Sequence, residues 1–218
     1  MTDIIDISQT LGQGLPVWPG DTAFESKPVW QIDGDCPVTV SKLTLSTHSG
    51  SHADAPCHYD PEGADMAAVD VQAYIGPCLI VDVSGQKGPV MWEHVAEDLE
   101  SISGPLERVL FRTFRTFPHD HWRSDFRAID AGLITALVAR GCLLIGTDAP
   151  SLDPEESKEL PAHNAVREAG MAILEGLVLD QVMPGTYELI APPLKIEKAD
   201  ASPVRALLRK IGKNENTE

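Results

Sequence analysis

The stretch HSGSHADAPCH, from His48 to His58, holds three of the chain's seven histidines and an aspartate. Imidazole nitrogen with carboxylate oxygen is the donor set of catalytic zinc and of manganese or iron sites, whereas structural zinc sites favour thiolates and close all four positions. The set therefore points to a metal with open coordination and to chemistry at that metal. One aspartate can bridge two ions through its two oxygens, and a second carboxylate on the same pair would complete a two-metal centre. The spacing permits that arrangement without requiring it. Taken alone, His58 fits either a further ligand or a proton-transfer group. Cys57, inside the stretch, reads as a small packing residue.

A helix would align His48 with His52, but Gly50 lies between them and Pro56 follows, and both oppose a helix. The preceding PVTVSKLTLS is rich in strand formers. A chain extended from about residue 42 to 55 would put Lys42, Thr44, Ser46, His48, His52 and Asp54 on one polar face. Leu43, Leu45 and Thr47 would pack on the other face. Pro56 would end the strand, so that His58 arrives from the loop beyond. Ser49 and Ser51 fall on the opposite parity from the histidines, and no GxSxG elbow is present, which argues against a serine hydrolase.

Other short apolar runs read as strands: DIIDIS near the start, CLIVDV at 78–83, RVLFRT at 108–113 and CLLIGT at 142–147. MAIL and LVLD within 171–180 and the later YELIAPPLKI read the same way. IDAGLITALVARG has helical spacing, a basic last turn at Arg140 and a cap at Gly141; MWEHVAEDLE and PAHNAVREAG are further helices. Strands outnumber helices, with no internal repeat and no low-complexity linker. The expectation is one α/β domain over residues 1–210, with 211–218 a disordered tail.

Composition narrows the function. A formal charge of −16 repels phosphate backbones and anionic lipid, so neither nucleic acid nor membrane is an expected partner; a small-molecule substrate is. There is no long apolar span and no secretory signal, and four scattered cysteines without a CxxC pair suit a reduced, cytoplasmic protein. The segment RTFRTFPHDHWRSDFR, 112–127, reads as a solvated surface loop that could also face a substrate.

With these residues in view, HSGSHADAPCH resembles the HxGTHxDxPxH signature of the cyclase-like metal-dependent hydrolases. Ser51 stands where that pattern has threonine, an exchange that keeps the hydroxyl. Further similarity runs through LPVWPGDTAF (15–24), VWQIDGDCPVTVSKLTLSTHSGSHADAPCHYDPEGA (29–64) and AYIGPCLIVDV (73–83). It continues through LIGTDAPSLDP, PAHNAV and ILEGLVLDQVMPGTYELIAPPLKI, and so covers most of the chain.

The resemblance implies a swivelling β/β/α fold, a homodimer and a dinuclear zinc centre, two ions per subunit. It implies that His48, His52 and Asp54 bind one zinc, with Asp54 bridging to a second held by His163 and by Glu175 as the other bridge. His58 would then transfer protons and Trp18 would contact substrate. On their own residues, His163 reads as a capping or surface residue and Trp18 as either a plug or an aromatic platform. Glu175, inside an apolar run, must be paired, protonated or bound to a cation, because an isolated buried charge is costly. His94, His119 and His121 read as surface residues.

The reaction that the resemblance implies is hydrolysis of the formyl amide of N-formyl-L-kynurenine to L-kynurenine and formate, a step of tryptophan degradation. The same centre with another pocket would serve a different aryl or cyclic amide such as isatin. The rival of a different class is a non-catalytic metal-binding protein in which His58 fills the open position. Nitrogen and oxygen donors also accept manganese or iron.

Overall fold

The computed structural model describes residues 4–211. In chain order its strands are β1 (Ile4–Asp6), β2 (Glu25–Trp30), β3 (Val40–Thr44), β4 (His52–Asp54), β5 (Ile75–Asp82) and β6 (Arg108–Arg112). They continue with β7 (Leu144–Thr147), β8 (Ala172–Glu175), β9 (Gly185–Ile190), β10 (Ala201–Pro203) and β11 (Leu207–Lys210). The α-helices are α1 (Ala96–Glu100), α2 (Ala131–Val138) and α3 (Pro161–Ala169).

Nine strands form one sheet in the order β1, β11, β9, β5, β6, β7, β8, β4, β10. Its centre, β5 to β8, is parallel, with α1, α2 and α3 as successive crossovers, and every flanking pair is antiparallel. Parallel strands need such crossovers, and the helices they bring must cover a face of the sheet. Leu79, Val81, Val109 and Ile145 accordingly pack against Leu133, Ile134 and Leu137 of α2 and Val166 of α3. Their sequence neighbours Ile80, Leu110 and Leu144 point the other way, as strand alternation requires. Among the described residues no α-helix packs on that second face, to which the 3₁₀ turn Val71–Tyr74 adds only Tyr74 and Ala73. Ala53 of β4, Tyr187 and Leu189 of β9, Leu208 of β11 and loop residues such as Ile7 and Leu177 bury it. The result is the expected single α/β domain with β/β/α layering.

Local chemistry explains the helix ends. Asp130 caps α2 by accepting from Gly132 and Leu133 N–H, and Gly141 beyond it has φ +79°. Pro161 opens α3 and Gly170 closes it at φ +64°.

Several expectations need correction. The chain is not extended from 42 to 55: β3 ends at Thr44, residues 47–51 turn, and β4 is a separate strand. The turn requires Gly50, at φ +66°. Nor do Leu43 and its neighbours pack: β2 and β3 form an isolated two-stranded sheet exposed along its whole length. LVLD is not a strand, because β8 stops at Glu175 and Gly176 bends the chain at φ +63°. MWEHVAEDLE divides into a 3₁₀ turn, Trp92–His94, and the short α1. β2, β10 and β11 are additional strands. Of the expected tail, Ile211 follows β11 and residues 212–218 lie outside the described residues. Among the described residues no helix is long and apolar enough to cross a membrane.

Candidate metal centre

β4 and β8 build the floor of the site. Their antiparallel register sets His52 opposite Glu175, and Asp54, two residues along, shares the His52 face while Ala53 enters the core. All three functional side chains are buried. His48 comes in from the 47–51 turn, its Nδ1 3.2 Å from Asp54 Oδ1. His52 Nε2 is 3.4 Å from both Asp54 Oδ1 and Glu175 Oε2. His163, on the first turn of α3, directs Nε2 to Asp54 Oδ2 at 3.5 Å and Glu175 Oε1 at 3.6 Å. Each carboxylate thus turns one oxygen to His52 and the other to His163.

The outward nitrogen of every imidazole is occupied. His48 Nε2 lies 3.2 Å from Asp200 Oδ2, His52 Nδ1 is 3.0 Å from the Gly50 carbonyl, and His163 Nδ1 is 2.7 Å from Asp153 Oδ2. With those nitrogens donating, each neutral ring presents a lone pair to the centre, the state a metal ligand needs. Both Asp54 oxygens and His52 Nε2 are buried with no hydrogen-bond partner among the described residues. Such atoms are costly to bury unless a cation meets them. The donor set therefore fits divalent ions.

Electrostatics agree. Burial alone would lower the His52 and His163 pKa values, but Asp54 with Glu175, and for His163 also Asp153, push both up to about 10. Burial opposes charge on Asp54, yet His163, His48 and His52 hold its carboxyl well below the ordinary range. Without a cation, protons supply the positive charge this cluster demands.

His58 follows Pro56 in a 3₁₀ turn at the solvent edge, as the strand-ending proline led us to expect. Its ring centroid is 4.3 Å from that of His48, and its Nδ1 is 3.7 Å from Asp200 Oδ2. Burial by the surrounding protein lowers its pKa from the ordinary 6.5, which favours the neutral ring. Its nitrogen also comes within 4.8 Å of Asp54 and His163 donor atoms, so proximity alone leaves both readings of His58 in play. Cys57 packs beside the core, its thiol 3.6 Å from the Ala199 carbonyl.

Above the centre opens a cavity of about 360 Å³, within the range of small-molecule sites. Trp18 lines it, as do Phe114, Phe117, His121, Trp122 and Arg123 of the 112–127 segment. That segment is therefore a solvated loop only in part: Arg115, Asp120 and Asp125 are exposed, but Phe114, Phe117 and Phe126 are buried against Trp18 and Trp122. His121 is an exposed residue at the cavity rim, His119 is exposed and faces Phe117, and His94 accepts the Met91 N–H.

Two carboxylates escaped the sequence reading. Asp153 accepts from Ala162 and His163 N–H at 3.0 Å each, capping α3 while holding the His163 ring. Asp200 joins Thr47, His48 and His58. Ser51 has a further duty: its hydroxyl donates to the Gly176 carbonyl at 2.7 Å and accepts the Gln9 N–H at 2.9 Å. A serine can do this as well as a threonine.

The layering recurs in solved structures. The chain matches a potential metal-dependent hydrolase with cyclase activity at TM-score 0.81 and 25% identity, covering 98% of this chain and 100% of that one. It matches isatin hydrolase A from Labrenzia aggregata at TM-score 0.82 and 26% identity, covering 96% and 94%. In sequence, the Cyclase family pattern matches residues 5–154. Kynurenine formamidase from Maricaulis maris (strain MCS10) is 56% identical over 97% of this chain and 100% of that protein. The chain belongs to the Cyclase family.

Proposed function

We propose that this protein is a metal-dependent amide hydrolase converting N-formyl-L-kynurenine to L-kynurenine and formate. The observation that carries the reading is the buried Asp54, whose two unpartnered oxygens face three imidazoles with fixed outward nitrogens, under an aromatic cavity. The 56% identity to a kynurenine formamidase supports the choice of substrate. In this reading His48, His52 and Asp54 would hold one ion and His163 and Glu175 a second, with both carboxylates lying between His52 and His163. We assign zinc to both positions; manganese and iron suit the same donors.

Bound ions of this kind supply a hydroxide nucleophile at neutral pH and a Lewis acid for the formyl oxygen. The remaining work falls to side chains. Trp18 contacts the aryl ring and holds the formyl group over the floor of the cavity. His58, whose burial favours the neutral ring, accepts the proton that the attacking hydroxide oxygen still carries. As the carbon–nitrogen bond breaks, it returns that proton to the aniline nitrogen, so formate and a neutral amine leave. A ligand role for His58 would remove this step.

A homodimer belongs to the proposal. The β2–β3 hairpin exposes Val29 at 58%, Trp30 at 56% and Leu43 at 54%, an apolar arm suited to a second copy. Light scattering checks it: Trp30→Glu with Leu43→Glu should shift the mass to that of a monomer. Four free thiols suit a cytoplasmic setting.

The deciding assay measures formate release from N-formyl-L-kynurenine and ring opening of isatin to isatinate, each before chelation, after it, and after zinc is restored. We expect activity on the first substrate, its loss on chelation and its return with zinc. His58→Ala should lower kcat by about 100-fold or more. Preference for isatin would replace the substrate, and activity surviving full metal removal would overturn the mechanism.

A further inference from the structure

The cavity mouth is built from two loops that repeat one pattern, a tryptophan with a charged residue close by. In the first, Asp21 N–H donates to the Trp18 carbonyl at 2.9 Å, closing a turn that brings both residues to the cavity. In the second, Trp122 and Arg123 are consecutive, and both line the same space. The indoles meet edge to face with centroids 5.3 Å apart, and Trp122 Nε1 donates to Glu155 Oε2 at 2.7 Å, which fixes its ring. The mouth therefore offers an apolar corner of two indoles in edge-to-face contact, and two opposite charges.

Those charges are oriented with capacity to spare. Arg123 uses Nε and Nη2 to hold Asp125, at 2.6 and 2.7 Å. A guanidinium has five N–H donors, so its Nη1–Nη2 edge remains available for a second carboxylate. Asp21 Oδ1 accepts the Thr22 N–H at 2.6 Å, which leaves Oδ2 as an acceptor. An aryl ring against this corner that carried an amino-acid chain would present its carboxylate to Arg123 and its ammonium to Asp21, since both line the same cavity.

We propose that Arg123 and Asp21 are specificity residues that select an aryl formamide bearing a zwitterionic chain, with Trp122 as the second wall for its ring. The inference rests on the hydrolytic reading above and names the feature of the substrate that separates it from isatin, which has no such chain. It assigns a task to the 112–127 segment and makes Glu155 the positioning residue of Trp122.

The test compares N-formyl-L-kynurenine with N-formyl-2-aminoacetophenone, which keeps the ring, ketone and formamide but ends in a methyl group. Arg123→Gln and Asp21→Asn, both at exposed positions, should each lower the ratio of kcat/KM values (chain-bearing over methyl) by about tenfold, through KM. Trp122→Leu should lower kcat/KM for both substrates together. A ratio that stays at the wild-type value in Arg123→Gln and Asp21→Asn overturns the proposal. Calorimetric binding of L-kynurenine against 2-aminoacetophenone applies the same criterion without turnover. If the wild-type protein releases formate from neither substrate, the hydrolytic reading fails, and the binding ratio still decides the inference.

Discussion

At the scale of single residues, the centre depends on giving each imidazole nitrogen one task. Asp153 illustrates this, because one carboxylate caps α3 through Ala162 and His163 N–H and fixes the His163 tautomer through Nδ1. Loss of such an outer partner typically costs 10- to 100-fold in metal affinity. Asp153→Ala should therefore weaken the ion held by His163 by roughly that factor and cost about 1 kcal/mol of stability through the lost cap. Asp153→Asn, which keeps an acceptor, should recover most of the affinity. Calorimetric zinc titration separates the effects, and an unchanged affinity in Asp153→Ala would refute the orienting role. The histidine cluster was legible because its members are close in sequence, and Glu175 because a charge interrupts an apolar run. Asp153 and Asp200 were not, since they meet their histidines across 10 and 152 residues. Nothing local distinguishes either from a surface aspartate.

At the scale of elements, the site hangs on the close approach of two bends, the 47–51 turn and the exit from β8. Gly176 has φ +63°, and a Cβ there would lie 2.5 Å from the Gly50 carbonyl oxygen, the atom that also accepts from His52 Nδ1. Positive φ is itself unfavourable for a residue with a Cβ, and a backbone oxygen cannot swing aside as a side chain can. Gly176→Ala should lower stability by about 3 kcal/mol or more and disturb His52, reducing metal content as well as melting temperature. A stable variant with full metal would show that the loops yield more easily than this contact implies. The parallel strands and α2 were legible from apolar runs and capping residues. The 42–55 stretch misled because alternation was extended through Gly50, whose left-handed conformation breaks the parity between His48 and His52. β10 and β11 are short edge-side strands, too brief to carry a periodic signal of their own.

At the scale of the whole molecule, a strongly acidic chain must still bury carboxylates, and Asp148 ties one of them to the cavity. Fully buried just after β7, it accepts from Thr113 N–H at 2.8 Å, Thr113 hydroxyl at 2.5 Å and Phe114 N–H at 2.9 Å. It thereby anchors the start of the segment that carries Trp122 and Arg123. Burial drives its pKa up and the Thr113 and Phe114 donors pull it back, leaving it at about 7. Between its ordinary value of 3.8 and about 7 the folded protein retains a proton that the unfolded chain has released. The linkage relation then makes stability fall as pH rises through that window, by up to about 1.4 kcal/mol per pH unit from this one group. The more favourable side is the acid side, opposite to Asp54 and Asp153, whose lowered pKa values favour folding above their own range. Urea unfolding of the metal-free protein across pH 4 to 8 gives the summed slope. The difference between wild type and Asp148→Asn isolates the single contribution. Asp148→Asn loses hydrogen bonds and should start less stable at the acid end, but its stability should decline less as pH rises. Parallel curves would mean that Asp148 is ionised throughout, with its three donors outweighing burial. The loop that forms the cavity wall would then be held by a permanent buried anion.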